Sequence, residues 1–151
     1  MGETAMAKVF QSSEGTKAGK CKDKVHARLA SRIADLKKLW AAIHSEFEDV
    51  PDLGNLFEYG LSFDYVAPDT FEGQPQGYFR YQLSWGGPSD EFRFYCAEGF
   101  KPVQIEYWYM DWFDGAHIVL TGNNETLLCE LFDWFEQAGS VENEYKKAVE
   151  A

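Results

Sequence analysis

Residues 78–110 read YFRYQLSWGGPSDEFRFYCAEGFKPVQIEYWYM, and through most of this stretch apolar and polar side chains alternate. A period of two is typical of β-strands that bury one face. The alternation is interrupted twice, by GGPS at 86–89 and by EGFKP at 98–102, and such glycine- and proline-containing segments are typical of turns. We therefore predict three consecutive strands, over 78–85, 91–96 and 103–110, that form an antiparallel meander.

The apolar faces of the three strands agree when the chain is folded about these turns. Folding about Gly87-Pro88 and about Gly99-Phe100 gives one apolar face across all three strands. The predicted pairs are Leu83–Phe92, Tyr81–Phe94 and Phe79–Cys96 in the first hairpin, and Phe92–Tyr107, Phe94–Ile105 and Cys96–Val103 in the second. Trp85 is predicted to share this face. On the opposite face, Arg93 is predicted to lie between Gln82 and Glu106.

Helical periodicity flanks the predicted meander. Between Cys21 and Glu48 apolar residues recur at steps of three and four, which predicts one amphipathic helix that ends before Pro51. The residues of its apolar stripe are Val25, Leu29, Ile33, Leu36, Trp40, Ile43 and Phe47. A second helix is predicted over 125–137, with Asn123 or Asn124 as its cap, and a last helix over 140–150.

Shorter strands are expected at 61–65 and 117–120, with a proline- and glycine-rich loop over 67–77. The sequence thus predicts an α+β fold with an N-terminal amphipathic helix and an antiparallel β-meander of four to five strands. The C-terminal helix or helices are predicted to pack on one face of that sheet.

Composition sets the domain organisation. The chain has 151 residues, of which 45% are hydrophobic and 17% aromatic, enough for one domain with a real core. Residues 1–20 are rich in Gly, Ser, Thr and Lys and are predicted to form a disordered basic arm before a single α+β domain over 21–151. The sequence shows no long apolar run or secretory signal pattern, so we expect a cytoplasmic protein that does not enter a membrane.

Charge is divided unevenly along the chain. Residues 1–38 carry nine Lys and Arg against four Asp and Glu, whereas residues 39–145 carry three against twenty. The formal net charge is −11. An acidic surface of this kind either keeps the protein soluble, with the basic segment lying against it, or meets a basic partner.

Patterns typical of enzymes are missing from the sequence. His26, His44 and His117 form no metal-binding or catalytic spacing, and the three cysteines include no CxxC pair. Glycine-rich phosphate-binding patterns are absent outside the predicted arm. We therefore expect no enzymatic activity, no metal and no cofactor. A small-molecule enzyme that uses Asp111 and Asp114 with Glu106 is a minor alternative.

The segment Asp111-Trp112-Phe113-Asp114-Gly115 is the most distinctive local sequence. One interpretation is a turn at the end of a strand, in which the aspartates cap backbone amides and the aromatic residues anchor the loop. The other is a binding epitope, because exposed aromatic residues surrounded by carboxylates suit a basic partner. On this second interpretation Asp111, Trp112 and Asp114 are candidate binding residues.

The second face of the predicted sheet supplies the remaining candidates. Tyr95, Glu106 and Trp108 alternate with the apolar positions, so this face is too aromatic for a plain solvent face and too polar for a core. It is covered by the arm or the last helix, or it faces a partner or a second copy of the chain. Direct binding of nucleic acid is not expected, because the surrounding carboxylates repel phosphate.

Three segments resemble small acidic proteins of unknown function encoded on bacterial plasmids and integrative mobile elements. They are DLGNLFEYGLSFDYV at 52–66, GYFRYQLSWGGPSDEFRFY at 77–95 and IEYWYMDWFDGA at 105–116. The resemblance covers roughly residues 50–135 and implies no catalytic residue. It implies a context in which small acidic inhibitors of host defence are common, some of which imitate DNA.

Two functional hypotheses follow. The first is a non-enzymatic acidic protein, a monomer or homodimer, that inhibits a basic DNA-handling or defence protein by imitating the charge of DNA. The second is an acidic chaperone or immunity-type protein that binds a specific protein client through the aromatic face of the sheet.

Overall fold

A computed structural model describes residues 9–11, 18–45 and 49–150. In chain order the elements are β1 (Val9–Gln11), α1 (Ala18–Ile43), α2 (Leu56–Tyr59), β2 (Ser62–Val66), β3 (Tyr78–Ser84), β4 (Ser89–Ala97), β5 (Lys101–Asp111), β6 (Asp114–Val119), α3 (Gly122–Gln137) and α4 (Ser140–Glu150). None of the helices in these ranges is both long and apolar enough to cross a membrane.

The six strands form one antiparallel sheet in the order β1-β6-β5-β4-β3-β2. One face packs against the long helices and forms the core. Phe92 and Phe94 of β4 and Ile105 and Tyr107 of β5 are fully buried there, and the ring of Phe94 lies 5.0 Å from that of Phe132 in α3. The predicted α+β class, with an antiparallel meander under N- and C-terminal helices, is confirmed.

The register between β4 and β5 is as predicted through Phe92–Tyr107, Arg93–Glu106 and Phe94–Ile105. The predicted register between β3 and β4 is wrong by two residues. In the structure Tyr81 pairs with Phe92, and Phe79 pairs with Phe94. Arg93 accordingly lies opposite Arg80 rather than Gln82. The connection is the four-residue segment 85–88 rather than the predicted two-residue loop, and it contains φ of 114° at Gly86, a conformation that glycine adopts readily.

Two residues leave the predicted apolar face. The register shifts between Tyr95 and Cys96, so that Cys96 pairs with Pro102 and the side chain of Val103 is 61% exposed. Trp85 lies beyond the last residue of β3 and is 77% exposed. Alternation in sequence fails at both positions because a bulge and a strand end change the direction in which side chains point.

The helices differ from prediction mainly at their ends. α1 begins at Ala18 and ends at Ile43, and Phe47 lies outside the described residues. The N-cap of α3 is Thr121 rather than Asn123 or Asn124. Of the predicted disordered arm, the structure describes Val9–Gln11, which form β1, and residues 18–20, which begin α1.

A buried ion pair joins α1 to the sheet. Arg32 donates from Nε and Nη2 to both carboxylate oxygens of Asp90, at 2.7 and 3.0 Å. Asp90 also accepts from the hydroxyls of Tyr107, at 2.6 Å, and Ser84. Burial alone would raise the pKa of Asp90, but these hydrogen bonds and the Arg32 charge hold it below its usual value. The helix is thereby tied to the strands whose opposite face forms the candidate site.

Candidate binding face

The face of the sheet opposite the helices is here called the open face. Among the residues that strand alternation brings to it are Tyr78, Arg80, Gln82, Glu91, Arg93, Tyr95, Gln104, Glu106, Trp108, Met110 and His117. Aromatic rings and charged groups therefore share a surface on which the helices do not pack. The candidate residues Tyr95, Glu106 and Trp108 all lie here, as alternation predicts.

Four planar side chains form a stack across neighbouring strands of the open face. The guanidinium of Arg93 lies 4.8 Å from the ring centroid of Tyr78 and 4.0 Å from that of Trp108. Trp108 in turn stacks on His117, with centroids 4.3 Å apart and an interplanar angle of 15°. The stack gives the open face a rigid centre, because each plane restricts the rotation of the next.

Hydrogen bonds within the molecule satisfy the charged groups around this stack. Arg93 pairs with Glu91 at 2.6 Å, and Arg80 pairs with Asp64 at 2.8 Å. Glu106 accepts from Gln104 at 2.7 Å and from the indole N–H of Trp108 at 2.8 Å. Each of these charged groups is therefore held in place by a hydrogen bond within the molecule.

Protonation on this face is set by burial and neighbouring charge. Burial, followed by the nearby Glu106 carboxylate, raises the pKa of Tyr95 to about 12. Burial lowers the pKa of His117 and the Arg93 charge lowers it further, against the opposing effect of Glu106. His117 lies 4.0 Å from Glu106. At neutral pH Tyr95 and His117 are therefore uncharged, and the charged side chains around the stack are the Arg80–Asp64 and Arg93–Glu91 pairs and Glu106.

The loop over residues 67–77 forms one wall above the open face. Gln74 holds the loop together, because its side-chain amide donates to the carbonyl oxygens of Ala67 and Gln76, at 3.0 and 2.8 Å, and accepts from the backbone N–H of Phe71 at 3.0 Å. The Phe71 side chain is 51% exposed. Its ring lines two adjoining cavities between the loop and the sheet.

The first cavity, here called the loop cavity, has a volume of about 600 Å³. Besides residues 71–76 it is lined by Tyr78, Arg93, Tyr95, Val103, Gln104, Glu106 and Trp108. The second, here called the tryptophan cavity, has a volume of about 680 Å³. It is lined by Phe71, Tyr78, Arg80, Trp85, Gly86, Gly87, Ser89, Glu91, Arg93, Met110 and Trp112. Phe71, Tyr78 and Arg93 line both, so the two cavities adjoin, and together they are here called the groove.

Two turns meet at the end of the tryptophan cavity. Trp112 lies in the turn between β5 and β6, and a Cβ atom at Gly87 in the β3–β4 turn would lie 3.3 Å from its Nε1. Trp112 has φ of 59°, a left-handed conformation that costs free energy for a bulky side chain. Trp112 is nevertheless 73% exposed. A strained backbone that presents a large apolar side chain to solvent is typical of a functional position.

The predicted candidates Asp111 and Asp114 pair with each other across the β5–β6 hairpin, but their side chains differ in exposure. Asp114 is 3% exposed, and its Oδ2 accepts the backbone N–H of Cys21 in the first turns of α1, at 3.1 Å. It caps the positive end of that helix rather than facing a partner. Asp111 is half-buried beside Trp112 and Gly87. Burial and the neighbouring Asp114 raise the pKa of the Cys21 thiol to about 12, which keeps it unreactive.

Sequence reasoning missed two residues of the groove. Trp85 was predicted to face the core, and Phe71 was placed in a loop without a role. The position of these aromatic residues in or next to glycine- and proline-rich segments could have indicated that they are exposed, because such loops lie on the protein surface.

A separate acidic groove lies on the helical side. It has a volume of about 670 Å³ and runs between residues 99–102 and α3. Glu125, Glu130, Asp133 and Glu136 line it together with one lysine, Lys101, and the sequence of α3 contains no Lys or Arg. The four acids outnumber the lysine, so the lining of this groove carries a net negative charge.

Among the described residues, no group of three or more His, Cys, Asp or Glu side chains is placed to hold a metal ion. No family model, curated protein or solved structure matches this chain.

Proposed function

We propose that this chain is a non-enzymatic binding protein that holds a protein partner on its open face. The observation that carries the proposal is the position of Phe71, Trp85 and Trp112. All three are exposed, and all three line the tryptophan cavity. Large aromatic side chains around a cavity are the usual source of binding energy in protein interfaces.

The charge of the molecule supports a basic partner. A net charge of −11 attracts a positively charged protein over distances of about a Debye length, roughly 10 Å at 0.1 M salt. Attraction of this kind raises the association rate, whereas the buried aromatic contacts control dissociation. The two features together favour a basic partner that is held mainly by apolar contacts.

The proposal is tested by measuring the affinity of a captured partner for variants of the open face. Trp112→Ala removes an aromatic ring that lines the tryptophan cavity. Phe113→Ala is the matched control, because Phe113 is 89% exposed in the same turn but is not among the described residues that line either cavity. A partner that responds equally to the two variants, or to neither, would contradict docking at the open face.

The acidic groove beside α3 supports a second candidate function, the imitation of DNA towards a basic DNA-handling protein. Carboxylates on a rigid helix suit a phosphate-binding surface, and the resemblance to acidic proteins of mobile elements is consistent with such a role. Replacing Glu130 and Asp133 by Gln and Asn tests this candidate. Charge imitation requires the replacement to weaken binding strongly and requires binding to be lost in about 1 M salt, where screening is nearly complete.

A further inference from the structure

We propose that the groove on the open face takes an extended peptide segment of the partner, with a large apolar side chain in the tryptophan cavity and a Lys or Arg side chain in the loop cavity. This inference rests on the proposed function and specifies the chemistry of the partner. It is carried by the difference in lining between two cavities that share Phe71, Tyr78 and Arg93.

The tryptophan cavity suits an uncharged, apolar side chain. Trp85, Trp112, Phe71 and Met110 contribute apolar surface, and two glycines in its wall leave room for a large group. The charged side chains in its lining are already neutralised, because Arg80 is paired with Asp64, and Arg93 is paired with Glu91. Burying a phenyl or branched aliphatic side chain in this cavity is therefore favourable, because it removes apolar surface from water.

The loop cavity suits a cation. Glu72 and Glu106 line it, and the one arginine in its lining, Arg93, is already neutralised by Glu91. The rings of Tyr95 and Trp108 and the amides of Gln74, Gln76 and Gln104 complete the lining. Carboxylates beside aromatic rings bind ammonium and guanidinium groups by charge and by cation–π attraction. The same carboxylates disfavour a phosphate-bearing ligand, so the occupant is a peptide and not a nucleic acid.

The two cavities share a boundary, so one short segment can fill both. In an extended chain, side chains two residues apart point to the same side. A segment with an apolar and a basic residue close in sequence therefore meets both linings at once. Hydrogen bonds within the loop 67–77 preorganise it as one wall of the groove, which reduces the entropy lost on binding.

The test uses three short acetylated and amidated peptides that differ at two positions: Lys with Phe, Glu with Phe, and Lys with Ser. Binding to the full chain is followed by NMR of the tryptophan indole groups and by calorimetry. We expect the Lys–Phe peptide to bind best, with either replacement weakening it by about tenfold or more, the loss typical of a main contact. Equal binding of all three peptides would overturn the proposal.

Two variants assign the preferences to the cavities. Glu72→Gln is expected to reduce the preference for Lys over Glu and to leave the preference for Phe over Ser unchanged, since Glu72 is exposed and lines only the loop cavity of the two. Trp85→Ala is expected to reduce the preference for Phe and to leave the preference for Lys unchanged, and Phe113→Ala is expected to change neither. A Lys preference that Glu72→Gln leaves unchanged, or a Phe preference that Trp85→Ala leaves unchanged, would refute the assignment.

Failure of this inference is distinguishable from failure of the proposed function. Suppose that Trp112→Ala weakens the binding of a captured partner but the Lys–Phe peptide does not displace that partner. This result would refute the peptide-segment inference and would leave the open face as the docking site. A partner that ignores both Trp112→Ala and the peptide refutes both.

Discussion

The guanidinium of Arg93 lies 4.0 Å from the centre of the Trp108 ring, with the Glu91 carboxylate 2.6 Å from its Nε atom. Tyr78 lies on the same guanidinium at 4.8 Å. One planar cation thus joins two aromatic rings and a carboxylate at the centre of the open face. The arrangement depends on a flat group, which lysine does not provide.

Arg93→Lys is therefore expected to destabilise the protein despite conserving the charge. Loss of the stacked, partly desolvated contacts should lower the free energy of unfolding by about 1–2 kcal/mol. Urea unfolding measures the change. The matched control is Arg28→Lys, since Arg28 is exposed and lies 5.5 Å from the ring of Tyr109; it should cost less than about 0.5 kcal/mol. Equal losses at the two positions would show that the stack around Arg93 contributes nothing.

Trp112→Gly is expected to be more stable than Trp112→Ala, while both variants weaken partner binding. Residue 112 has φ of 59°, which glycine adopts without strain, so the free energy of unfolding should rise by about 1 kcal/mol relative to Trp112→Ala. Alanine keeps the backbone strain and removes the same aromatic ring, which makes it the control. A glycine variant no more stable than the alanine variant would show that the left-handed conformation stores no strain.

The sequence predicted the parts of the fold that follow from local periodicity. The pairing of Phe92 with Tyr107 and of Phe94 with Ile105 came from alternation around a turn, and the structure confirms it. Alternation did not indicate where a strand stops, so Trp85 was assigned to the core instead of the groove. Asp90 was missed as well. A carboxylate next to a turn resembles a surface residue, and its partner Arg32 is 58 residues away in the sequence.

Replacement of Asp90 is expected to affect stability strongly and to change its dependence on pH. Asp90→Ala leaves the charge of Arg32 without its carboxylate partner in a site that solvent reaches only partly. The free energy of unfolding should therefore fall by about 3 kcal/mol, the low end of the range for a broken buried pair.

The pKa of Asp90 is lower in the folded protein than its ordinary value. Its contribution is therefore present above about pH 4 and is lost as the pH falls through the lowered pKa. Urea unfolding between pH 7 and pH 3 should show a smaller acid-dependent loss in Asp90→Asn than in the native chain; equal losses would exclude Asp90 as a source of acid sensitivity.

Protonation of His117 is expected to weaken the fold in mildly acidic solution. Burial lowers the pKa of His117 in the folded protein. Repulsion between a protonated His117 and Arg93 lowers this pKa further, whereas attraction to Glu106 raises it. For a histidine whose folded pKa is depressed, the stabilising contribution is complete above the unfolded value of about 6.5 and is lost as the pH falls from there towards the folded pKa.

NMR titration of the His117 imidazole should give a midpoint below about 6.5. The chemical shifts of the Trp108 indole should follow the same curve, because the two rings stack. His117→Gln should remove that part of the pH dependence between pH 7 and 5, and exposed His26 provides the control in His26→Gln. A midpoint of His117 above about 6.5 would show that attraction to Glu106 outweighs burial, and that the open face gains a stabilising charge on acidification instead of losing stability.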